Sequence, residues 1–250
     1  MDKKNSSDKF LAGKVALITG GTTGIGRATA VALAHQGADV FVFGRHQNKL
    51  DDAIADIKKI SGREAFGLCA DVSKIDDIKN VFKRIDDKFG KIDFLINNAS
   101  LGARSILDQD FENMDYVLDV NIKGYLLCTR YALDRMIPVK SGHIVNIGSM
   151  SSEVREGDAD IYVATKSAIA GFNESLRKKV RSQGIKVTLI KPGSVGTDMV
   201  TETVQEQVEA QEKRLLLKAE DVANCILFAL LQSDRCEIID IGLKPHYQPF

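Results

Sequence analysis

The stretch Thr19-Gly20-Gly21-Thr22-Thr23-Gly24-Ile25-Gly26 lies between an apolar run, Lys14–Thr19, and a helical pattern, Ile25–Gln36. No other feature constrains the fold as strongly. Glycines let a chain reverse tightly and let its backbone approach a bound group, while the helix that follows offers unsatisfied N–H groups to an anion. Strand, glycine turn and helix in that order form the pyrophosphate-binding unit of a parallel dinucleotide-binding sheet. The spacing here is GxxxGxG rather than GxGxxG.

The same alternation continues along the chain. Short β-branched or apolar runs at Asp39–Phe43, Glu64–Cys69, Phe94–Ile96, His143–Ile147, Lys186–Ile190 and Cys236–Ile239 read as strands. Amphipathic segments at Gln47–Ser61, Ile75–Phe89, Phe111–Met136, Ile161–Ser182 and Ala219–Leu231 read as helices between them. The mostly apolar strands suit burial on both faces. The expected fold is therefore α/β, a single Rossmann-like doubly wound parallel sheet of about seven strands with helices on both faces. Gly37, Gly62, Gly142 and Gly184 fall at element ends, where positive φ is expected. Residues 1–10 read as a flexible polar tail and 11–250 as one dinucleotide-binding and catalytic domain. The polar segment Thr201–Arg214, following Pro192-Gly193, reads as a surface helix placed to act as a lid.

Lysine plus arginine and aspartate plus glutamate each number 34, so no net charge draws the chain to nucleic acid or an anionic membrane. No apolar run approaches the roughly 18 residues of a spanning helix or forms a leader. Cys69, Cys128, Cys225 and Cys236 are widely spaced, form no CxxC pair and read as reduced core thiols of a cytoplasmic protein. The four histidines have no metal-ligand spacing, and no metal is expected.

A nucleotide of this type is discriminated near the end of the second strand, where an acid would hold the ribose 2′-hydroxyl. The sequence there is Phe43-Gly44-Arg45-His46, without an acid. Arg45 suits a 2′-phosphate, which favours NADP(H) over NAD(H), the alternative being a solvated loop arginine. Asp71, past the third strand, suits the adenine amino group or a helix cap. Further on, Tyr162-Val163-Ala164-Thr165-Lys166 places a phenol and an ammonium on one helical face. A neighbouring cation favours the phenolate, so Tyr162 suits proton transfer to or from an alcohol oxygen. Ser149, ending a strand at the same edge, suits hydrogen bonding to that oxygen.

Taken together, TGGTTGIG at Thr19–Gly26, Asp71, NNAS at Asn97–Ser100, Asn121 in VNIKG, Ser149, YVATK at Tyr162–Lys166 and PGSVGTD at Pro192–Asp198 resemble the short-chain dehydrogenase/reductase family over about residues 11–240. The resemblance implies a catalytic tetrad: Tyr162 as acid/base, Ser149 as substrate-oxygen donor, and Lys166 on the nicotinamide ribose, lowering the phenol pKa. Asn121 would hold a water that links the lysine to solvent. It further implies a pyrophosphate turn of Gly20, Thr22, Thr23, Gly24, Ile25 and Gly26, and adenine contacts from Asp71 and Val72. Asn98 and Ala99 would form the adenosine-ribose wall, and Pro192, Gly193, Val195 and Thr197 the carboxamide clamp. Ser100 departs from the family's NNAG. If the position needs positive φ, serine there costs about 1 kcal/mol.

The reaction expected is interconversion of a ketone or aldehyde with an alcohol on a small-molecule substrate, polar or hydroxy-acid-like. Arg104 and Arg155 are placed to meet a carboxylate, or else are solvated loop charges. The alternative substrate is a 3-oxoacyl thioester on an acidic carrier protein, for which Arg177-Lys178-Lys179-Val180-Arg181 is the candidate docking stretch. Non-enzymatic readings are an NADP(H)-sensing regulator, which would be expected to lack the tyrosine or lysine, and a structural subunit, which would tolerate loss of the glycine turn. Apolar positions on several faces of the Phe111–Met136 and Ile161–Ser182 helices, among them Tyr125, Leu126, Tyr131, Ile169 and Phe172, predict a homotetramer, with a dimer second. The irregular carboxyl end is expected to reach a neighbouring subunit or the pocket.

Overall fold

The computed structural model describes residues 9–197 and 203–248. Most of the amino-terminal tail, Asp198, the start of the Thr201–Arg214 segment and the last two residues lie outside the described residues.

The elements alternate as the sequence predicts: β1 (Val15–Thr19), α1 (Gly24–His35), β2 (Asp39–Gly44), α2 (Gln47–Ser61), β3 (Ala65–Cys69), α3 (Ile75–Phe89) and β4 (Phe94–Asn97). The second half comprises α4 (Phe111–Leu118), α5 (Gly124–Val139), β5 (Gly142–Ile147), α6 (Ser151–Val154), α7 (Asp160–Val180), β6 (Ile185–Pro192), α8 (Val204–Glu212), α9 (Ala219–Leu230) and β7 (Asp240–Leu243). The strands form one parallel sheet in the order β3-β2-β1-β4-β5-β6-β7. The direction of winding reverses between β1 and β4, and such a switch opens a crevice at the carboxyl ends of the strands.

Strand alternation divides the core into two layers. Ala16 and Ile18 face the layer that includes Ala30 and Leu33 of α1 and Ile226 of α9. Leu17 faces the other, with Ile78, Val81, Phe82 and Ile85 of α3 and Cys128, Ala132 and Met136 of α5. Those four α3 residues recur at helical spacing, so one stripe of the helix is buried while its charged face stays in water.

Three expectations change. The last strand begins at Asp240, not at Cys236. Residues 236–239 run beside β6, but there Glu237 caps the Val187 N–H and Ile238 O takes the Thr188 hydroxyl, so a regular ladder starts only afterwards. The Phe111–Met136 helix is interrupted by a π-helical turn at Asp119–Lys123. Gly142 falls at an element end, opening β5, but without positive φ; Lys140, at φ 48°, ends α5 instead. Glycine is needed at 142 because a Cβ there would meet Met136.

Among the described residues no helix is long and apolar enough to cross a membrane. Of the cysteines only Cys128 is buried; Cys69 is exposed and the other two are partly so.

Candidate active site

One cavity of about 590 Å³ runs along the carboxyl edge of the sheet. It is lined by residues following β1 (Gly20, Thr22, Thr23, Gly24, Ile25), β2 (Arg45), β3 (Asp71, Val72), β4 (Asn98, Ala99), β5 (Ser149) and β6 (Pro192, Gly193, Val195, Thr197), with Tyr162 and Lys166 of α7. Of the residues predicted for catalysis and cofactor binding, Gly26 and Asn121 do not line it.

At the switch point, Thr19 joins β1 to β4: its hydroxyl accepts the N–H groups of Asn98 and Ala99 at 2.9 and 2.8 Å. The Asn98 amide returns bonds to the carbonyls of Thr19 and Gly20 at 3.0 and 3.1 Å. Asn98 therefore braces the glycine turn as well as walling the cavity. Gly20 and Gly24 have φ of 62° and 49°, a region that penalises any Cβ. Gly26 lies behind the turn, where a Cβ would overlap the Gly20 carbonyl and sit 2.6 Å from Asn98 Nδ2. The amino end of α1 has neither a side-chain cap nor an acid in its first turn, so its N–H groups suit an anion from the cavity. Turn, uncapped helix and cleft fit a dinucleotide pyrophosphate.

At the adenosine end, Arg45 is exposed beside His46 and Lys49, which also line the cavity. Asp71 is held on both oxygens: Oδ1 accepts the Ser73 N–H and hydroxyl at 2.9 and 2.8 Å, and Oδ2 accepts the Tyr116 hydroxyl at 2.7 Å. Burial pushes the Asp71 carboxyl up, but the Ser73 N–H, the Tyr116 and Ser73 hydroxyls and the Arg45 charge outweigh it and hold the pKa below the ordinary value.

At the other end, Lys166 Nζ donates to the Ile147 carbonyl at 3.0 Å and lies 5.6 Å from the Tyr162 ring centroid. Burial lowers its pKa to about 7. Burial also raises the Tyr162 phenol above 10, partly offset by its hydrogen bond with Ser149. The expected lowering of the phenol by its lysine is thus not present in this geometry. Desolvation of both groups dominates, and an ammonium that loses its proton near neutrality supplies little field. The trio nevertheless converges where a carbonyl oxygen can meet both a phenol and a serine hydroxyl.

Asn121 sits in the π-helical turn, a device that often marks functional positions. Its amide is engaged within the protein: Oδ1 accepts the Leu101 N–H at 2.7 Å, and Nδ2 donates to Leu101 O at 2.8 Å and to Thr165 Oγ1 at 3.3 Å. The side chain thus fixes the Leu101 backbone at the cavity wall.

Neither Arg104 nor Arg155 lines the cavity; Glu156 does, with Ser100, Leu101, Ala103, Met150 and Ser151. Ser100 has no positive φ, so the anticipated strain is absent, and its hydroxyl is buried without a hydrogen-bond partner. The carboxyl end, as far as it is described, comes to the chain's own cavity. Gln248 lines it, accepting the Ser194 N–H at 3.1 Å and donating to the Ser194 hydroxyl at 3.0 Å. α8 opens with a reciprocal Thr203–Glu206 cap, and Gln207 donates to the Thr197 carbonyl at 3.4 Å. The described part of the Thr201–Arg214 segment packs on the clamp residues without lining the cavity.

Sequence reasoning missed Tyr116 and a buried amide network. In that network Asn97 donates to Thr129 and to Asn146, and Asn146 to Asn173, each at 2.9 Å, tying α5 and α7 to the sheet beneath the trio. An asparagine inside the apolar run His143–Ile147 was the available signal.

This fold and edge define a nicotinamide-nucleotide oxidoreductase of Rossmann type. A sequence model described as short chain dehydrogenase matches residues 14–208. An uncharacterized oxidoreductase of Staphylococcus epidermidis is 34% identical over 233 residues, covering 93% of this chain and 97% of its own length. A metagenomic short-chain oxidoreductase solved with NADP superposes with a TM-score of 0.82 at 28% identity, covering 94% of this chain and 99% of that one. A 3-ketoacyl-(acyl-carrier-protein) reductase from Brucella melitensis solved with NADH does so with a TM-score of 0.84 at 26% identity, covering 94% and 98%. The chain belongs to the short-chain dehydrogenase/reductase family. It is an oxidoreductase acting on CH–OH groups of small molecules with NAD(P).

Proposed function

We propose that the chain is an NADP(H)-dependent carbonyl reductase, reversible as an alcohol dehydrogenase, in which Tyr162 is the general acid/base. The observation that carries this reading is one continuous cavity with Arg45 at one end and Tyr162, Ser149 and Lys166 at the other. Nicotinamide supplies the hydride when bound. Ser149 and Tyr162 orient the carbonyl oxygen, and the phenol gives it a proton on reduction or takes one on oxidation. Lys166, pinned to the strand that leads to Ser149 and 5.6 Å from the Tyr162 ring centroid, lowers the phenol pKa when protonated. Asn121 holds the Leu101 wall against which the substrate rests.

The substrate is a small, polar, uncharged ketone or its alcohol. The wall offers serine hydroxyls and an amide, while Glu156 in place of Arg104 or Arg155 disfavours a carboxylate. The carrier-bound 3-oxoacyl reading draws less support. The basic stretch from Arg177 begins fifteen residues after Tyr162 on α7, about 22 Å away at 1.5 Å per residue. There Lys178 pairs with Glu174 and Arg177 with Glu237.

The remaining parts of the reading are a single catalytic domain, a cytoplasmic location and a homotetramer, with a dimer second. Tyr125 and Ile169 are buried within the chain, while Leu126, Ile137 and Val139 on α5 and Phe111 and Leu118 on α4 are exposed and offer apolar surface for assembly. Light scattering at micromolar concentration tests assembly, and a monomer rejects it. The function is tested by nicotinamide absorbance over a panel of neutral ketones, oxo acids and acyl thioesters. Neutral ketones are expected to turn over with NADPH, and Tyr162→Phe to lose roughly 10²- to 10⁴-fold in kcat. Undiminished turnover in that variant rejects the mechanism.

A further inference from the structure

Tyr116 belongs to α4, away from the strand-end motifs, yet its hydroxyl lies between the two polar residues of the adenosine end. It accepts a hydrogen bond from Arg45 Nη1 at 2.8 Å and donates one to Asp71 Oδ2 at 2.7 Å. A phenol has a single proton; here the carboxylate takes it, leaving the oxygen as acceptor for the guanidinium. The chain Arg45–Tyr116–Asp71 is therefore directional. Its far end is fixed, because Asp71 Oδ1 is held by the backbone and hydroxyl of Ser73. The guanidinium carbon also lies 5.5 Å from the Tyr116 ring centroid, within cation–π range.

This arrangement has two effects on an incoming anion. An exposed arginine on a loop ordinarily loses rotamer freedom when it binds, and a side chain already tied in place loses less. Among the described residues only Nη1 is engaged with protein, so Nε and Nη2 remain for the ligand. The second effect concerns charge. Asp71 shares the cavity edge with Arg45 and would repel a phosphate, but its Oδ2 is shielded by the Tyr116 proton.

We propose that Tyr116 is a specificity-determining residue: by tying Arg45 to Asp71 it presents the guanidinium to the 2′-phosphate of NADP(H) and sets the preference for the phosphorylated nucleotide. The proposal rests on the NADP(H) reading above and adds to it a residue that contacts neither the nicotinamide nor the substrate.

Calorimetric titration with 2′,5′-ADP and with 5′-AMP tests it without turnover. Wild type is expected to bind 2′,5′-ADP more tightly. Tyr116→Phe, which keeps the ring and loses the hydroxyl, is expected to weaken 2′,5′-ADP about tenfold and leave 5′-AMP within about twofold, the scale of one charge-assisted hydrogen bond. Arg45→Ala is expected to abolish discrimination, and adding Tyr116→Phe to it to change nothing further. Discrimination undiminished by Tyr116→Phe, or an equal loss for both ligands, overturns the role of Tyr116 alone. A wild type that binds both ligands equally removes the NADP(H) reading, and this proposal with it.

Discussion

Lys166 and Tyr125 donate to one acceptor, the main-chain carbonyl of Ile147, at 3.0 and 3.1 Å. That carbonyl ends β5, two residues before Ser149, so the strand carrying the serine also anchors the lysine from α7. A neutral carbonyl does not balance an ammonium, and complete burial therefore lowers the Lys166 pKa to about 7.

The stability cost of that lysine should depend on pH. Its pKa of about 7 in the fold lies below the 10.5 of an exposed lysine, so between these values the unfolded chain holds more protons. Stability contributed by this site rises as pH climbs from about 7 to about 10.5 and is lowest below 7. Lys166→Met should therefore melt at higher temperature than the parent at pH 6, with the difference closing toward pH 10. Thermal melts across this range without nucleotide check it; parallel curves would reject the assignment.

His143 provides a second pH effect, on the acid side. It is buried in β5, and burial with the nearby Lys186 charge lowers its pKa to about 3. Thr188 spends its one hydroxyl proton on Ile238 O, so it must accept from His143 Nε2, which fixes the neutral tautomer. The fold binds fewer protons here than the unfolded chain between pH 3 and 6.5, so stability falls as pH drops through that window. His143→Gln should flatten this part of the denaturant-midpoint curve, at a cost of about 1 kcal/mol near pH 7 for the altered hydrogen bond.

Gly26 and Gly102 should respond differently to alanine. At 26 the added methyl meets the backbone of Gly20 and the amide that braces it; at 102 it meets nothing within 4 Å. Gly26→Ala should lose about 1–3 kcal/mol by overpacking and weaken dinucleotide binding at least about tenfold. Gly102→Ala should leave chemical denaturation within about 0.5 kcal/mol of the parent. Fluorescence titration with NADPH beside the denaturation curves separates the two effects.

Much of the site was legible because its signals are local. Tyr162 and Lys166 are one helical turn apart, and the glycine turn follows its strand directly. Ser149 lies just past the end of β5, where the direction of the strand determines which edge it meets. The Arg45–Tyr116–Asp71 chain was not legible, because Tyr116 is 71 residues from Arg45 and 45 from Asp71 and only packing of α4 over the edge joins them. The substrate wall was equally hard to read: Arg104 and Arg155, open between a carboxylate contact and solvated loop charges, lie outside the cavity, while Glu156, one residue on, lines it.

The sequence by itself determined the alternation of strands and helices, the carboxyl edge as the site and the residues able to bind a dinucleotide and move a proton, because periodicity and backbone freedom act over a few residues. Tertiary structure decided the protonation balance and the partners. Whether Lys166 holds a proton near neutrality depends on how much water α5 and β5 exclude around it. Whether Arg45 waits in place depends on a tyrosine brought to it by the fold. Desolvation and long-range hydrogen bonding belong to the packed chain, so no local pattern encodes them.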